Sequence, residues 1–305
     1  MTRTAQPHHA QPQPDQTQTD QAQPDQTQPD QTQPFQPLSG LRGVSIAVNV
    51  PGPVAAHLLA RDGLDVVKVE PPAGDPLLPV AGEMYAELAD GMAVQRLDLR
   101  SPEGAAALAT LLEGADLLIT SHRPSALARL GFTAERLGQR HPHLCWVDIV
   151  GDEDAPEVPG HDLTYQLQAG LLQPPQMPST LIADLSGAML AAQAATALLL
   201  GRERGRPERW RRVGLKQAAH LMAWPRRGGL TAPTGLLSGA EPQYRVYALQ
   251  DGWAAVAALE PHFHARYGQA LAGQSPESYF ARLTVQDCER LAHDRDLPIH
   301  AVAGG

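Results

Sequence analysis

Three short stretches carry side chains suited to moving protons. Gly160-His161-Asp162 puts an imidazole and a carboxylate at the start of a predicted helix running to about Leu172. Leu181-Ile182-Ala183-Asp184 puts a lone carboxylate at the mouth of a long apolar segment, and Leu259-Glu260-Pro261-His262-Phe263 ends a strand on Glu260 just before a proline that begins a helix. Histidine changes charge near neutral pH, and strand ends and helix starts are where a fold commonly presents reactive groups. Each group also has an ordinary structural reading. His161 suits a helix cap or a solvated surface, and Asp184 and Glu260 both gain from the positive end of a helix, Asp184 as its N-cap.

The elements that must hold these groups follow from the pattern of the text. Leu185 to Leu200 is almost all Ala, Leu, Met and Gly, interrupted by Ser186, Gln193 and Thr196, so a helix there is apolar nearly all round and buried. The run is shorter than the roughly 18 to 20 residues of a membrane span, which predicts a core helix and no membrane association. Before it, short branched runs alternate with helical ones: strands over 44–50, 65–70, 95–99, 116–120 and 144–150, and helices over 53–61, 102–112, 126–130 and 134–139. Ser101-Pro102 combines a capping residue with proline at the first helical position. Strand, helix, strand at this spacing predicts a parallel, doubly wound α/β domain over residues 37–225. Pro225 to Gly239, rich in Gly, Pro and Thr, predicts a linker over 226–240. Residues 241–305 then form a smaller α+β domain opening on a hairpin at Asp251-Gly252.

Composition narrows the function. The first 36 residues repeat Gln, Pro, Asp and Thr about every five positions and read as a disordered low-complexity tail. Four aspartates in that tail contribute to the net charge of −9, so the rest is only mildly acidic and offers no general case for nucleic acid. Arg202, Arg204, Arg206, Arg209, Arg211 and Arg212 read as a solvated helix end rather than a nucleic-acid patch. Cys145 and Cys288 lack metal-ligand or disulfide spacing, and no secretory leader opens the sequence, which together predict a reducing cytoplasm and no metal site. Val50-Pro51-Gly52-Pro53 after the first strand is not the glycine fingerprint of a dinucleotide fold, and no phosphate-loop, zinc-helix or nucleophile-elbow motif occurs.

The order of these pieces resembles the family III CoA-transferases of the CaiB/BaiF type, and within them the alpha-methylacyl-CoA racemase branch. The matching text is PLSGLRGVSIAVNVPGPVAAHLLARDGLDVVKVEPPAGDP, LDLRSPEG, ADLLITSHRPSALARLGF, GHDLTYQLQAGLL, IADLSGAML and DGWAAVAALEPHF, from Pro37 to about His264, with a weaker match through Leu297-Pro298-Ile299. The resemblance implies a Rossmann-like large domain with a parallel sheet, a smaller α+β domain, a homodimer of interlocked subunits, and an acyl-CoA thioester as substrate. CoA would enter as part of that substrate, with no covalently bound cofactor.

The resemblance also implies roles. His161 matches the base, Asp184 the opposing acid, and Glu260 the carboxylate that orients the histidine, a set able to remove and return the proton next to a thioester carbonyl. Backbone amides near Gly187 are expected to help carry the enolate charge. In the transferase branch Asp184 instead attacks the thioester as nucleophile. Arg100, Arg123 and Arg129 match groups that meet the CoA phosphates.

Several positions depart from the pattern. Gly91 to Val94 replaces a basic stretch, an acidic loop from Gly151 to Pro159 replaces a glycine-rich one and is expected to repel phosphate, and Arg212 and Gln217 stand at two acidic positions. The text ends at Gly305, before a segment that in the family returns to the large domain, so the small domain is expected to be truncated. A third reading is therefore a homologue that binds an acyl-CoA or a protein partner without chemistry.

Overall fold

The computed structural model describes residues 35–304, so the expected low-complexity tail lies outside the described residues except for Phe35 and Gln36. The chain runs through β1 (Arg42–Ser45), α1 (Pro51–Arg61), β2 (Asp65–Glu70), α2 (Gly82–Ala89), β3 (Ala93–Arg96), α3 (Pro102–Glu113), β4 (Leu117–Thr120), α4 (Pro124–Arg129), α5 (Ala134–Arg140), β5 (Cys145–Val150), α6 (Asp162–Gln168), α7 (Ile182–Glu203), β6 (Trp210–Gly214), α8 (Leu215–Met222) and α9 (Trp224–Arg227). These strands form one six-stranded sheet in the order β3-β2-β1-β4-β5-β6, every pair parallel. That is the doubly wound order, in which the chain reverses direction across the sheet between β1 and β4. The remainder, β7 (Tyr244–Ala248), β8 (Gly252–Ala257), α10 (Pro261–Leu271), α11 (Pro276–Phe280), α12 (Val285–Arg295) and β9 (Ile299–Ala303), builds an antiparallel sheet ordered β7-β8-β9 with its own core around Tyr247, Val256, Tyr267 and Phe280.

A parallel sheet covered on both faces needs strands that are apolar throughout. Strands β4 and β5 are buried at every residue and apolar but for Thr120 and Asp148, which bond to each other at 2.9 Å. Against one face lies α7, which buries Ala188, Ala191, Ala194, Ala195, Leu198 and Leu199 with Val147, Ile149 and Val213. At 22 residues and a mean hydropathy of 1.4 in its most apolar window, α7 is long and apolar enough to cross a membrane by length and composition, and longer than its sequence predicted. The helix is not buried all round as its composition suggested: about half of that window is buried in the sheet domain, while Met189 and Leu200 are exposed. Gly187 is there for packing: a Cβ would stand 2.3 Å from Leu215 Cδ2. At the sixth position of a helix its own amide is engaged within the helix.

The arginine-rich stretch departs from expectation. Residues 210–214 leave the helix end and form β6, an edge strand on β5. Arg212 is paired with the buried Asp148 at 3.1 Å and stacks on Trp210, while charge along an outer strand discourages pairing with other chains.

Beneath the carboxyl ends of β1 and β2 sits a buried ionic cluster. Lys68 is held between the carboxylates of Glu70 and Asp75 (2.7 Å to the latter), and Tyr85 donates to Glu70 at 2.6 Å. Burial alone would raise Glu70, but its bonds from Lys68 and Tyr85 hold the carboxyl below the ordinary value. The other oxygen of Asp75 accepts from the amides of Asn49 (3.2 Å) and Leu77 (2.9 Å), fixing two loops at the end of the sheet. Asn49 takes a left-handed φ of 68°, which asparagine tolerates better than most residues.

Removing the cation leaves two carboxylates buried without compensation, so Lys68→Met should lower the unfolding free energy by about 3–5 kcal/mol in urea titrations at pH 7. Glu70, depressed in the folded state, contributes stability that is present above the ordinary carboxylate value and lost as pH falls through its lower folded one. The variant should therefore show a weaker loss of stability with acid than the wild type.

Candidate active site

A parallel sheet of this order leaves a crevice outside the carboxyl ends of its strands at the reversal point. A cavity of about 500 Å³ lies there, lined by Val48–Pro51 after β1, Ser121–Arg123 after β4 and Ile149–Gly151 at the end of β5. Pro76, Leu77 and Val80 form another part of its wall, and Gly160, His161, Tyr165 and Asp184 bring in the starts of α6 and α7. Ser121 Oγ accepts from the Val48 amide at 3.0 Å and ties the two central loops together.

His161 and Asp184 meet at this cavity, and Asp162 fixes one to the other. His161 is the N-cap of α6, its amide donating to Thr164 Oγ1 at 3.2 Å. The next residue, Asp162, is buried and turned the other way: its Oδ1 accepts from the amides of Ala183 (2.7 Å) and Asp184 (3.1 Å), two orphan donors in the first turn of α7. Its second oxygen accepts from Gln166, which also donates to the Thr180 carbonyl at 2.9 Å. Asp184 is thus the third residue of α7 and not its cap, because the capping is done from α6. Among the described residues the Asp184 carboxylate has no hydrogen-bond partner. Burial, and secondarily the charge of Asp162, push the Asp184 carboxyl up to about 6.

The acidic loop is anchored by its own carboxylates. Asp152 pairs with Lys216 at 2.6 Å and accepts from Gln217, Glu153 accepts from the Gly214 amide at 2.9 Å, and Glu157 accepts from the amide and hydroxyl of Ser125. Those carboxylates bind the loop to α8 on one side and α4 on the other, and Pro156, Val158 and Pro159 line the cavity. Both ends of the loop close on Tyr165, whose hydroxyl would lie 2.1 Å from a Cβ at either Gly151 or Gly160. The residue types at 212 and 217 now have a reason: Arg212 serves Asp148, and Gln217 serves the loop.

The other candidates from the sequence separate. Arg123 lines the cavity as the N-cap of α4. Arg129 ends α4 away from the lining residues, where its charge and that of Arg123 reach Glu157. Arg100 is exposed and engaged by Asp98 at 2.9 Å. Glu260 is not brought to His161 within the chain: it is exposed at the N-terminus of α10, beside the second sheet, and is absent from the cavity lining. Tyr165 and His122 were not singled out from the sequence, and Asp162 was read there only as the carboxylate beside His161. Asp162 offered a signal, a carboxylate just inside a helix start, but its partners lie 21 and 22 residues away and no local pattern names them.

Comparison with known proteins places this geometry. The model of the family described as CoA-transferase family III matches residues 38–302. The alpha-methylacyl-CoA racemase of Mus musculus is 30% identical over 263 residues, covering 79% of this chain and 66% of the mouse protein. The succinate–glutarate CoA-transferase of Agrobacterium fabrum is 29% identical over 188 residues, covering 54% and 47%. The chain therefore spans about two thirds of the length of the one and about half of the other. Among solved structures, a CAIB/BAIF family protein from Brucella suis superposes with a TM-score of 0.74 at 20% identity, covering 88% of this chain and 85% of that one. The parallel sheet, the cavity at its carboxyl ends and the match across nearly all described residues lead to one conclusion: the chain belongs to the CoA-transferase family III.

Proposed function

We propose that this protein racemises 2-methylacyl-CoA thioesters by removing and returning the proton at the carbon next to the thioester carbonyl. The observation that carries this reading is the convergence of His161 and Asp184, one imidazole and one carboxylate, on a single cavity, with Asp162 joining the helices that bear them. The neutral imidazole takes the Cα proton, the electron pair of the broken C–H bond passes into the enolate, and the carboxylic acid form of Asp184 returns a proton to the opposite face. The reverse direction exchanges the two roles. A carboxyl pushed up to about 6 suits this work, because both of its forms are populated near neutral pH.

Arg123 is proposed to meet a phosphate of CoA at the cavity mouth. Glu260, exposed on the second sheet, is proposed to reach the His161 of a second copy in a cytoplasmic homodimer. A CoA-transferase reading is favoured by the free carboxylate of Asp184 and by relatives named as transferases at similar identity. In that reaction Asp184 attacks the thioester carbonyl, forms an acyl anhydride and expels CoA thiolate.

Wild-type protein in deuterium oxide should exchange the α-proton of a 2-methylacyl-CoA, and His161→Ala or Asp184→Ala should each reduce the rate at least about 100-fold. An Asp184-acyl adduct trapped by hydroxylamine without α-proton exchange would assign the transferase reaction instead, and neither result would leave a binding protein. Co-expressed His161→Ala and Glu260→Ala subunits should recover activity in mixed dimers if Glu260 acts across the interface, because one of the two sites is then intact. Recovery would be absent if it acts within its own chain.

The sign of the Asp184 shift gives a further expectation. A carboxyl raised in the folded state contributes stability that is present below the ordinary carboxylate value and lost as pH rises through about 6. Asp184→Asn should therefore be more stable than wild type at pH 8, by on the order of 2 kcal/mol, and match it near pH 3.5 in urea unfolding. Asp162→Asn, which keeps an acceptor for the two amides but removes the charge, should lower the Asp184 midpoint in a carboxyl-carbon NMR titration.

A further inference from the structure

One imidazole at the cavity is not used by the reaction above. His122 follows Ser121 in the turn after β4 and lines the cavity with Arg123, His161 and Asp184. Its Nδ1 is buried and has no hydrogen-bond partner among the described residues. Among the described residues its Nε2 has no partner either, yet it is not among the buried unsatisfied atoms, so on a side chain that lines the cavity this is the nitrogen left accessible. A neutral imidazole carries one N–H, and a buried donor without an acceptor is penalised more heavily than an under-used acceptor. The proton therefore belongs on Nε2, facing the cavity. Burial also pushes the imidazole below its ordinary value, since a second proton would sit on the enclosed Nδ1 with nothing to receive it. The ring is thus a fixed neutral donor. It suits a carbonyl oxygen better than a phosphate, which Arg123 beside it serves.

The geometry points to His122 as a substrate-binding residue that donates one hydrogen bond from Nε2 to a carbonyl oxygen of a bound acyl-CoA. This assignment rests on the reading that acyl-CoA occupies the cavity. Two carbonyl types in such a molecule have the required chemistry, the thioester itself and the amides of the pantetheine arm. A donor on the thioester carbonyl also stabilises the enolate that forms when the α-proton leaves, as a neutral imidazole does in other proton-transfer sites.

Calorimetric titration of the full chain with acetyl-CoA and with CoA separates the cases. His122→Phe, which keeps the ring but removes the donor, should weaken acetyl-CoA binding about 3- to 10-fold with its melting temperature unchanged. His122→Gln, whose Nε2 falls near the imidazole Nε2, should restore it to within about twofold of wild type. Loss for acetyl-CoA alone places the bond on the thioester carbonyl, and equal loss for CoA places it on a pantetheine amide; either supports the assignment. In wild-type protein with nitrogen-15-labelled histidine, the His122 Nε2 proton should move downfield when acetyl-CoA is added, a readout that requires no variant. Wild-type affinity for both ligands in His122→Phe, with no movement of that proton, would overturn the role of His122 alone. Failure of the wild type to bind either ligand would overturn the acyl-CoA reading, and this assignment with it.

Discussion

Two backbone amides on one helix are satisfied by a carboxylate at the start of another. The bonds from Ala183 and Asp184 to Asp162 fix the relation between α6 and α7, and the rest of the candidate site depends on them. A helix as apolar as α7 cannot leave its first-turn donors dry without a cost of about 1–3 kcal/mol each. Supplying the acceptor from α6 removes that cost and brings His161 to the cavity that Asp184 lines. It also leaves Asp184 free, since a side chain that caps nothing can face a ligand. The same carboxylate adds negative charge beside a partly buried acid, so one residue both places Asp184 and tunes it.

The remainder of the site is built by similar substitutions of one interaction for another. Lys68, buried between two carboxylates, pairs with Asp75, and Asp75 holds the amides of Asn49 and Leu77, two residues that line the far wall. The loop from 151 to 160 carries enough acid to repel an anionic ligand if it were free. Lys216 pairs with Asp152, and Gln217, Ser125 and the Gly214 amide hold the loop's carboxylates by hydrogen bonds, so that the loop becomes a wall pinned on Tyr165. Composition along the stretch was a poor guide to the loop's structure because its partners are some 60 residues away on α8 or 32 residues away on α4.

What was legible in the text follows the range of the interactions. Strands β2 and β4, the cap at Ser101 and the hairpin at Asp251-Gly252 rest on neighbours within a few residues, and the structure has them where pattern and turn chemistry put them. Edge strand β6 was missed because its arginines answer to Asp148 and to solvent, which masks the alternation that marks a strand. Helix α2 was hidden in a passage rich in Gly and Pro. His161 and Asp184 were found through resemblance and the structure places them at one cavity, whereas Asp162 and His122 matter only through contacts in space. Glu260, found in the same way as His161, stands apart from it within the chain. It is the N-cap of α10, which belongs to the separate core of the second sheet.

The account stands or falls on where the reacting carbon sits. A crystal structure of the full chain with a 2-methylacyl-CoA, or with a thioether analogue that cannot enolise, measures this directly. The account predicts the α-carbon between the two helix starts, about 3–3.5 Å from both an imidazole nitrogen of His161 and a carboxyl oxygen of Asp184. A ligand bound elsewhere on the fold, or an α-carbon within reach of neither group, would contradict it.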